Sequence, residues 1–211
     1  MKAAVAIPTQ RRAAYLDVAL ASVAAQTRAA GAELLVIDDG PDDDTRVVAA
    51  RHGARYLAHA APRGLNAARN SALRSTDAEL ICFLDDDVRV GPGWLDALLR
   101  AAGELPDEVG CFTGPIRAVF EDHRFRTCGR EGPPVTHLDL GSADTDAAHA
   151  WGANMAVRGS AVARVGEFAE HHQLYGDEQE WQARLIAAGG RIRYVAAAAI
   201  EHRRAGDDAR L

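Results

Sequence analysis

Three adjacent aspartates, Asp85, Asp86 and Asp87, follow directly on an apolar run, Leu80 to Leu84. In an extended chain Asp85 and Asp87 project to one side about 7 Å apart, and at an effective dielectric of about 20 their repulsion costs about 2 kcal/mol. A helix cap or solvated turn accounts for one acid, not three. The arrangement calls for a positive charge. A second acidic pair, Asp38-Asp39, ends the apolar run at Ile37 and precedes Gly40-Pro41; in isolation that stretch is also ordinary turn chemistry. A third, Asp177-Glu178, opens a helical pattern, where carboxylates gain about 0.3–1 kcal/mol from the helix dipole with no catalytic role required.

Alternating elements must position these acids. The runs AAVAI (Ala3–Ile7) and ELLVI (Glu33–Ile37) read as buried strands, and Leu16, Leu20 and Val23 recur between them at i, i+4, i+7 as in an amphipathic helix. A second helix is predicted from the Asp42–Asp44 cluster to Gly53 and a third from Leu65 to Leu73. The strand Leu80–Leu84 and a helix from Trp94 to Ala102 follow. Strand and helix alternating at this spacing predict an α/β fold, a mostly parallel central sheet with helices on both faces. No linker divides the chain, so residues 1–211 are expected to form one domain. Arg117 to Ala150 carries little periodicity and much Gly, Pro, Asp and His, the texture of a long functional loop. Regular structure returns with the strand-like NMAVR, a helix from about Gly176 to Ala188 ended by Gly189-Gly190, and the run RIRYVAAAAI. On that helix Trp181, Leu185 and Ala188 share a face, with Asp177 and Glu178 flanking it about 50° to either side. Both acids can then reach a cleft, while Glu180 faces outward within reach of Arg184 at i, i+4.

Composition narrows the partners. The chain holds 24 Lys+Arg against 30 Asp+Glu, a net charge of −6, which argues against nucleic acid or an anionic membrane. Arg203-Arg204 is too small a cluster to change that. No run approaches the length of a membrane span, and the apolar stretch in MKAAVAIPTQRR is too short for a signal peptide. Cys82, Cys111 and Cys128 are odd in number and lack CxxC spacing, so neither zinc nor a disulfide framework is expected, and the natural setting is a reducing cytoplasm. Cys82 reads as a small buried hydrophobe.

Several nucleotide sites are excluded. No G-x-G-x-x-G follows the first strand, and neither G-x-x-x-x-G-K-[ST] nor G-x-S-x-G occurs. In open α/β sheets ligands bind at the carboxyl ends of strands, and here two such ends carry acids. Carboxylates in place of a phosphate-cradling loop suit a hard cation, Mg²⁺ or Mn²⁺, which takes one or two carboxylates and completes its shell with substrate phosphates. The acids would hold a metal, and the metal a diphosphate.

The segments VAIPTQRRAAYLDVALASVAAQT, LLVIDDGPDDDT, RGLNAARNSAL and ICFLDDDVRVGPGWLDALL, together spanning Lys2 to about Leu99, resemble the nucleotide-sugar half of GT-A glycosyltransferases of family 2. The resemblance resumes at WGANMAVRGSAVARVGEF (Trp151–Phe168) and GDEQEWQARLIAAGGRIRYV (Gly176–Val195). It implies a GT-A fold with a Rossmann-like nucleotide-sugar half over 1–99 and an acceptor and catalytic half over 100–211. It implies a metal-dependent transferase, inverting, that moves a sugar from a nucleoside diphosphate to an acceptor hydroxyl or amine. UDP is the first choice, with dTDP and GDP open, and a small soluble acceptor is expected.

Residue by residue, the resemblance places Thr9 and Asp39 in the base pocket, with Asp39 accepting from N3–H of uracil, and Pro8 in the donor site. Arg69, in AARN, approaches the nucleotide and its phosphates. Asp85 and Asp87 match the D-x-D motif, Asp85 near ribose or metal and Asp87 on the metal, with Asp86 between them in the donor site. The family has Glu-Asp where this chain has Asp177-Glu178, so Glu178 holds the catalytic-base position and Asp177 is its rival. His202, in AIEHRR, matches a histidine that completes the metal shell in some GT-A enzymes. A retaining enzyme, a sugar-phosphate nucleotidyltransferase and a non-catalytic nucleotide-sugar-binding protein stay open, although a nucleotidyltransferase would carry a glycine-rich loop where PTQRR stands. Trp151 could stack on a sugar or anchor the core; His123, His137, His149, His171 and His172 read as solvated loop residues. Oligomeric state is not legible.

Overall fold

The computed structural model describes residues 1–120, 136–170 and 177–204. The chain opens with β1 (Ala3–Thr9), α1 (Ala13–Ala30), β2 (Glu33–Asp38), α2 (Asp43–Arg51), β3 (Arg55–Ala58), α3 (Leu65–Ser75) and β4 (Leu80–Leu84). It continues with β5 (Val88–Val90), α4 (Trp94–Glu104), β6 (Val109–Thr113), β7 (Ile116–Phe120), β8 (Thr145–Asp146) and β9 (Asn154–Arg158). It closes with α5 (Gly159–Val165), α6 (Asp177–Ala187), β10 (Arg191–Tyr194) and β11 (Ile200–Arg204).

The main sheet has the order β3-β2-β1-β4-β9-β6-β10-β8. Strands β3, β2, β1, β4, β6 and β10 share one direction, while β9 and β8 run against it. This is the mostly parallel α/β sheet expected from the alternation of elements. Along β1 every residue is buried, as a strand covered on both faces requires. Val5 and Ile7 face Leu16, Leu20 and Val23 of α1 together with α2 and α4. Ala4 and Ala6, on the other face, meet a core that includes Ala68 and Ala72 of α3 and Trp181 and Leu185 of α6. The helix start expected at Asp42–Asp44 is found: Asp42 caps α2, its carboxylate accepting the Thr45 N–H at 3.0 Å.

Four expectations need correction. β3 and β6 carry no alternation that marks them as strands, so they went unread. The stretch Arg117 to Ala150 is partly regular, containing most of β7 and all of β8, with 121–135 outside the described residues. Ala188 is exposed, and the buried face of α6 is Glu178, Trp181, Gln182 and Leu185. Finally, Asp86 and Asp87 lie in a turn between β4 and β5 rather than in extended chain.

That turn leads into a second, three-stranded sheet, β5-β11-β7. β11 lies antiparallel to β5, with His202 opposite Val88, and the Arg203 N–H donates to the Asp87 carbonyl at 2.9 Å. The register thus seats His202 beside the aspartates. Asn154 ties this sheet to the core: its amide accepts from Trp94 Nε1 at 3.0 Å and donates to the Ala198 carbonyl at 2.8 Å. Cys82 and Cys111 are buried free thiols; Cys128 lies outside the described residues. Among the described residues no helix is long and apolar enough to cross a membrane.

Gly114, in the β6–β7 link, passes close to the turn before β11. A Cβ there would lie 2.1 Å from the Ala198 carbonyl oxygen, a backbone atom that cannot step aside. Gly114→Ala should cost about 3 kcal/mol, read as a lowered melting temperature; an unchanged melting temperature would contradict this path for the link.

Candidate active site

A cavity of about 310 Å³ opens at the carboxyl ends of the parallel strands, where ligands bind in such sheets. Pro8, Thr9, Gln10 and Arg12 line it from the end of β1, Asp39 from the end of β2, and Gly64, Leu65 and Ala68 from the start of α3. Asp85, Asp86 and Asp87 line it after β4, and His202 reaches it from β11.

The acidic turn is buried. Asp86 is 4% exposed and Asp87 3%, so each charge must be answered by donors. Thr9 Oγ1 donates to Asp86 Oδ2 at 2.7 Å. The Arg12 guanidinium bridges the pair, Nη1 donating to Asp86 Oδ1 at 2.6 Å and Nη2 to Asp87 Oδ2 at 2.9 Å. Burial nevertheless pushes Asp86 up to about 7, with Arg12 opposing the rise. Burial acts in the same sense on Asp87, but there His202 and Arg12 outweigh it and hold the carboxyl well below the usual range. Arg12 lies over the Tyr15 ring at 4.6 Å. The preceding residue, Arg11, sits at φ +53°, a left-handed conformation that costs a non-glycine residue about 1–2 kcal/mol, and it carries the chain from β1 into the turn that presents Arg12.

Three groups here suit a cation. One oxygen each from Asp85 and Asp87 and one ring nitrogen of His202 lie within 4.8 Å of one another. Asp87 Oδ1 stands 3.0 Å from His202 Nε2, so the two candidate ligands already face each other. Two carboxylates and an imidazole match the ligand preferences of a divalent ion. The turn accounts for this closeness, where an extended chain would have kept the acids apart.

The other end of the cavity is built around Asp39, 8% exposed. Its Oδ1 accepts from His59 Nδ1 and the Arg63 N–H, both at 2.8 Å, and its Oδ2 from the Gly64 N–H at 2.8 Å. Burial alone would raise its pKa, but the Arg63 N–H, His59 and the Gly64 N–H together lower it. Pro8, Leu65 and Ala68 give this end an apolar wall, with Leu65 40% exposed. Asp38 is structural: Oδ2 takes the Tyr56 hydroxyl at 2.7 Å and the Asp42 N–H at 3.0 Å. Thr9 lines the cavity, but its hydroxyl proton is committed to Asp86.

Arg69 and Glu178 are not among the residues lining the cavity. Arg69, the neighbour of the wall residue Ala68, is 2% exposed; it donates to Asn66 Oδ1 at 3.0 Å and lies 3.9 Å from Glu178 Oε2. Glu178 Oε1 accepts the Gly152 N–H at 3.4 Å. A Cβ on Gly152 would fall 1.9 Å from Arg69 Nη2, so a side chain there would displace that guanidinium. Asn66 and Asn70 bond the carbonyls of Ala169 and Phe168, so the motif NAARN clamps α3 to the segment after α5. Asp177 is the first residue of α6, its side chain outside the described residues. Glu180 pairs with Arg184 at 2.7 Å, as the i, i+4 spacing anticipates. Trp151 is half-buried against the core, edge-on to His149 at 4.9 Å. His137 is exposed, His149 is half-buried, and His123, His171 and His172 fall outside the described residues. Sequence reading missed Arg12, whose only signal was a cation following a strand end, and His59, hidden behind the unread β3.

The family model of glycosyl transferase family 2 matches residues 4–166, and the chain belongs to that family. The pre-mycofactocin glycosyltransferase of Mycobacterium tuberculosis (strain ATCC 25618 / H37Rv) is 29% identical over 187 residues, 82% of this chain and 37% of that protein. The validoxylamine A glucosyltransferase of Streptomyces hygroscopicus subsp. jinggangensis is 39% identical over 119 residues, 52% of this chain and 28% of that protein. The chain therefore spans about a third of the length of these curated relatives. The mannosyltransferase PcManGT from Pyrobaculum calidifontis, solved in complex with GDP-Man and Mn²⁺, superposes with a TM-score of 0.69 at 17% identity, over 95% of this chain and 56% of its own. GalNAc-T7, solved with UDP, GalNAc and Mn²⁺, gives 0.76 at 15% identity, over 97% and 44%. At these identities the likeness is one of fold, and it is the GT-A fold that the sequence resemblance implied.

Removing Arg12 takes the guanidinium from two buried carboxylates, and losing one partner of such a group costs about 3–5 kcal/mol. Arg12→Met should lower the melting temperature by about 6–20 °C at pH 8. The loss should shrink at pH 5, where Asp86, raised to about 7, takes a proton and no longer needs the cation. Equal losses at both pH values would contradict this charge assignment.

Proposed function

We propose that this member of glycosyl transferase family 2 is a metal-dependent, inverting transferase that moves a sugar from a nucleoside diphosphate, UDP first among them, to an acceptor hydroxyl or amine. The observation that carries the reading is one cavity with two chemically different ends. Asp39 beside an apolar wall suits a nucleobase, and Asp85, Asp87 and His202 suit a cation carrying a diphosphate. All but one of the lining residues fall between Pro8 and Asp87, in keeping with a donor half over 1–99 and an acceptor and catalytic half over 100–211 of a single domain.

Asp85, Asp87 and His202 would hold the metal, which when bound supplies Lewis-acid neutralisation of the departing diphosphate. An imidazole in the set favours Mn²⁺ over Mg²⁺. The two fold neighbours solved with Mn²⁺ and a nucleotide or nucleotide sugar support the same choice. Asp39 accepts the ring N–H of the base, and Pro8, Leu65 and Ala68 pack against its face. Arg12 keeps Asp86 and Asp87 in place when the diphosphate leaves. Glu178 is the proposed general base, taking the acceptor proton as the acceptor attacks the anomeric carbon in line. Arg69 and the Gly152 N–H orient its carboxylate. Asp177, one residue earlier on the same helical turn, is the alternative base.

Slow transfer to water tests this without knowledge of the acceptor. UDP release from a panel of UDP-sugars should require Mn²⁺, and Glu178→Gln should reduce it by about 10²-fold or more with UDP affinity retained. Loss in Asp177→Asn with full turnover in Glu178→Gln would move the base by one residue. Full turnover in both variants, or none in the wild type with any nucleotide sugar, would contradict the mechanism.

A further inference from the structure

The residue after β3, His59, is 8% exposed and its ring joins two elements. Nδ1 lies 2.8 Å from Asp39 Oδ1, and Nε2 lies 2.8 Å from Ser71 Oγ on α3. Its backbone N–H donates to the Asp38 carbonyl at 2.9 Å, which extends the β2–β3 pairing by one residue and fixes where the ring starts. The partners assign the protons. Asp39 already accepts two backbone N–H groups, from Arg63 and Gly64, so it acts as a carboxylate and His59 Nδ1 must carry hydrogen. In the neutral ring Nε2 is then an acceptor, and the Ser71 hydroxyl donates to it.

Counting lone pairs gives the consequence. Oδ1 of Asp39 takes two donors, His59 and the Arg63 N–H, which fills it; Oδ2 takes the Gly64 N–H and keeps one acceptor site. With Oδ1 tied on two sides the carboxylate cannot turn about its Cβ–Cγ bond. An acceptor fixed in this way meets a ring N–H well, as in uracil, thymine or guanine. Cytosine and adenine place a lone pair at that ring position and a donor only on the exocyclic amine, which a carboxylate must turn or shift to reach.

We propose that His59, held by Ser71, is a positioning residue that determines base specificity, locking Asp39 as a single fixed acceptor so that nucleobases with a ring N–H are admitted over those without one. The inference rests on the reading of the cavity as a nucleoside-diphosphate site.

The test is titration calorimetry of UDP and CDP with Mn²⁺ on the full chain. The wild type should prefer UDP by about 100-fold, the range of a charge-assisted hydrogen bond lost and left unpaired. His59→Asn places an amide N–H near the Nδ1 position and should keep most of that ratio. His59→Leu should bring it to about tenfold or less, chiefly through a gain in relative CDP affinity, which a purely structural defect would not produce. Ser71→Ala frees the far side of the ring and should lower the ratio partway, and it carries the test should His59→Leu fail to fold. A wild-type ratio retained in folded His59→Leu, or in Ser71→Ala if that is the variant that folds, overturns the role of His59 while the donor site stands. A wild type that binds neither nucleotide with Mn²⁺ overturns the donor site and this inference together.

Discussion

At the end of β4 the chain takes Asp86 and Asp87 almost completely out of water, and buried carboxylates persist only where cations and donors answer them. Much of the surrounding structure serves that need. The turn between β1 and α1 accepts a left-handed residue at Arg11 and delivers Arg12 across both acids. β11 pairs with β5 in the register that brings His202 to Asp87. Arg12 compensates the Oδ2 side of Asp87, and Oδ1 faces His202 at 3.0 Å. Asp85, Asp87 and His202 converge there closely enough to offer a cation three ligand atoms.

The base end obeys the same logic with different parts. Asp39 is buried and kept ionised by two backbone N–H groups and one imidazole. Different backbone segments therefore shape the two ends of one cavity: the turns after β1 and β4 with β11 for the charged end, and the ends of β2 and β1 with the start of α3 for the other. Behind the α3 wall, Arg69, Asn66 and Asn70 join α3 to the segment after α5, and Arg69 in turn meets Glu178 on α6. The acid proposed as base thus meets the support of the cavity wall at buried Arg69.

Much of this was legible because it follows from local rules. Apolar runs marked β1, β2 and β4, the last two by the acids that end them, the 3.6-residue spacing of Leu16, Leu20 and Val23 marked α1, and Asp42 marked the start of α2. What escaped depends on long-range pairing. Nothing in NMAVR reveals that β9 runs against both neighbours, and nothing in RYLA distinguishes β3 from loop. In the second sheet β11 pairs with β5 more than a hundred positions away, so the approach of His202 to Asp87 followed from family resemblance and not from local pattern. Arg69, which its motif places near the nucleotide, is buried beside the cavity wall and donates to Asn66. The extended-chain estimate for Asp85 and Asp87 failed because a turn intervenes, and the turn brings the acids together.

The central claim is that Asp85, Asp87 and His202 bind a divalent ion whose affinity is linked to a nucleoside diphosphate. Counting free Mn²⁺ by its paramagnetic resonance signal, as protein is added with and without UDP, addresses it directly. Mn²⁺ should bind more tightly in the presence of UDP, by the reciprocity that couples two ligands of one site, and Asp87→Asn should abolish the gain. Mn²⁺ uptake that ignores UDP, or that survives unchanged in Asp87→Asn, would contradict the account.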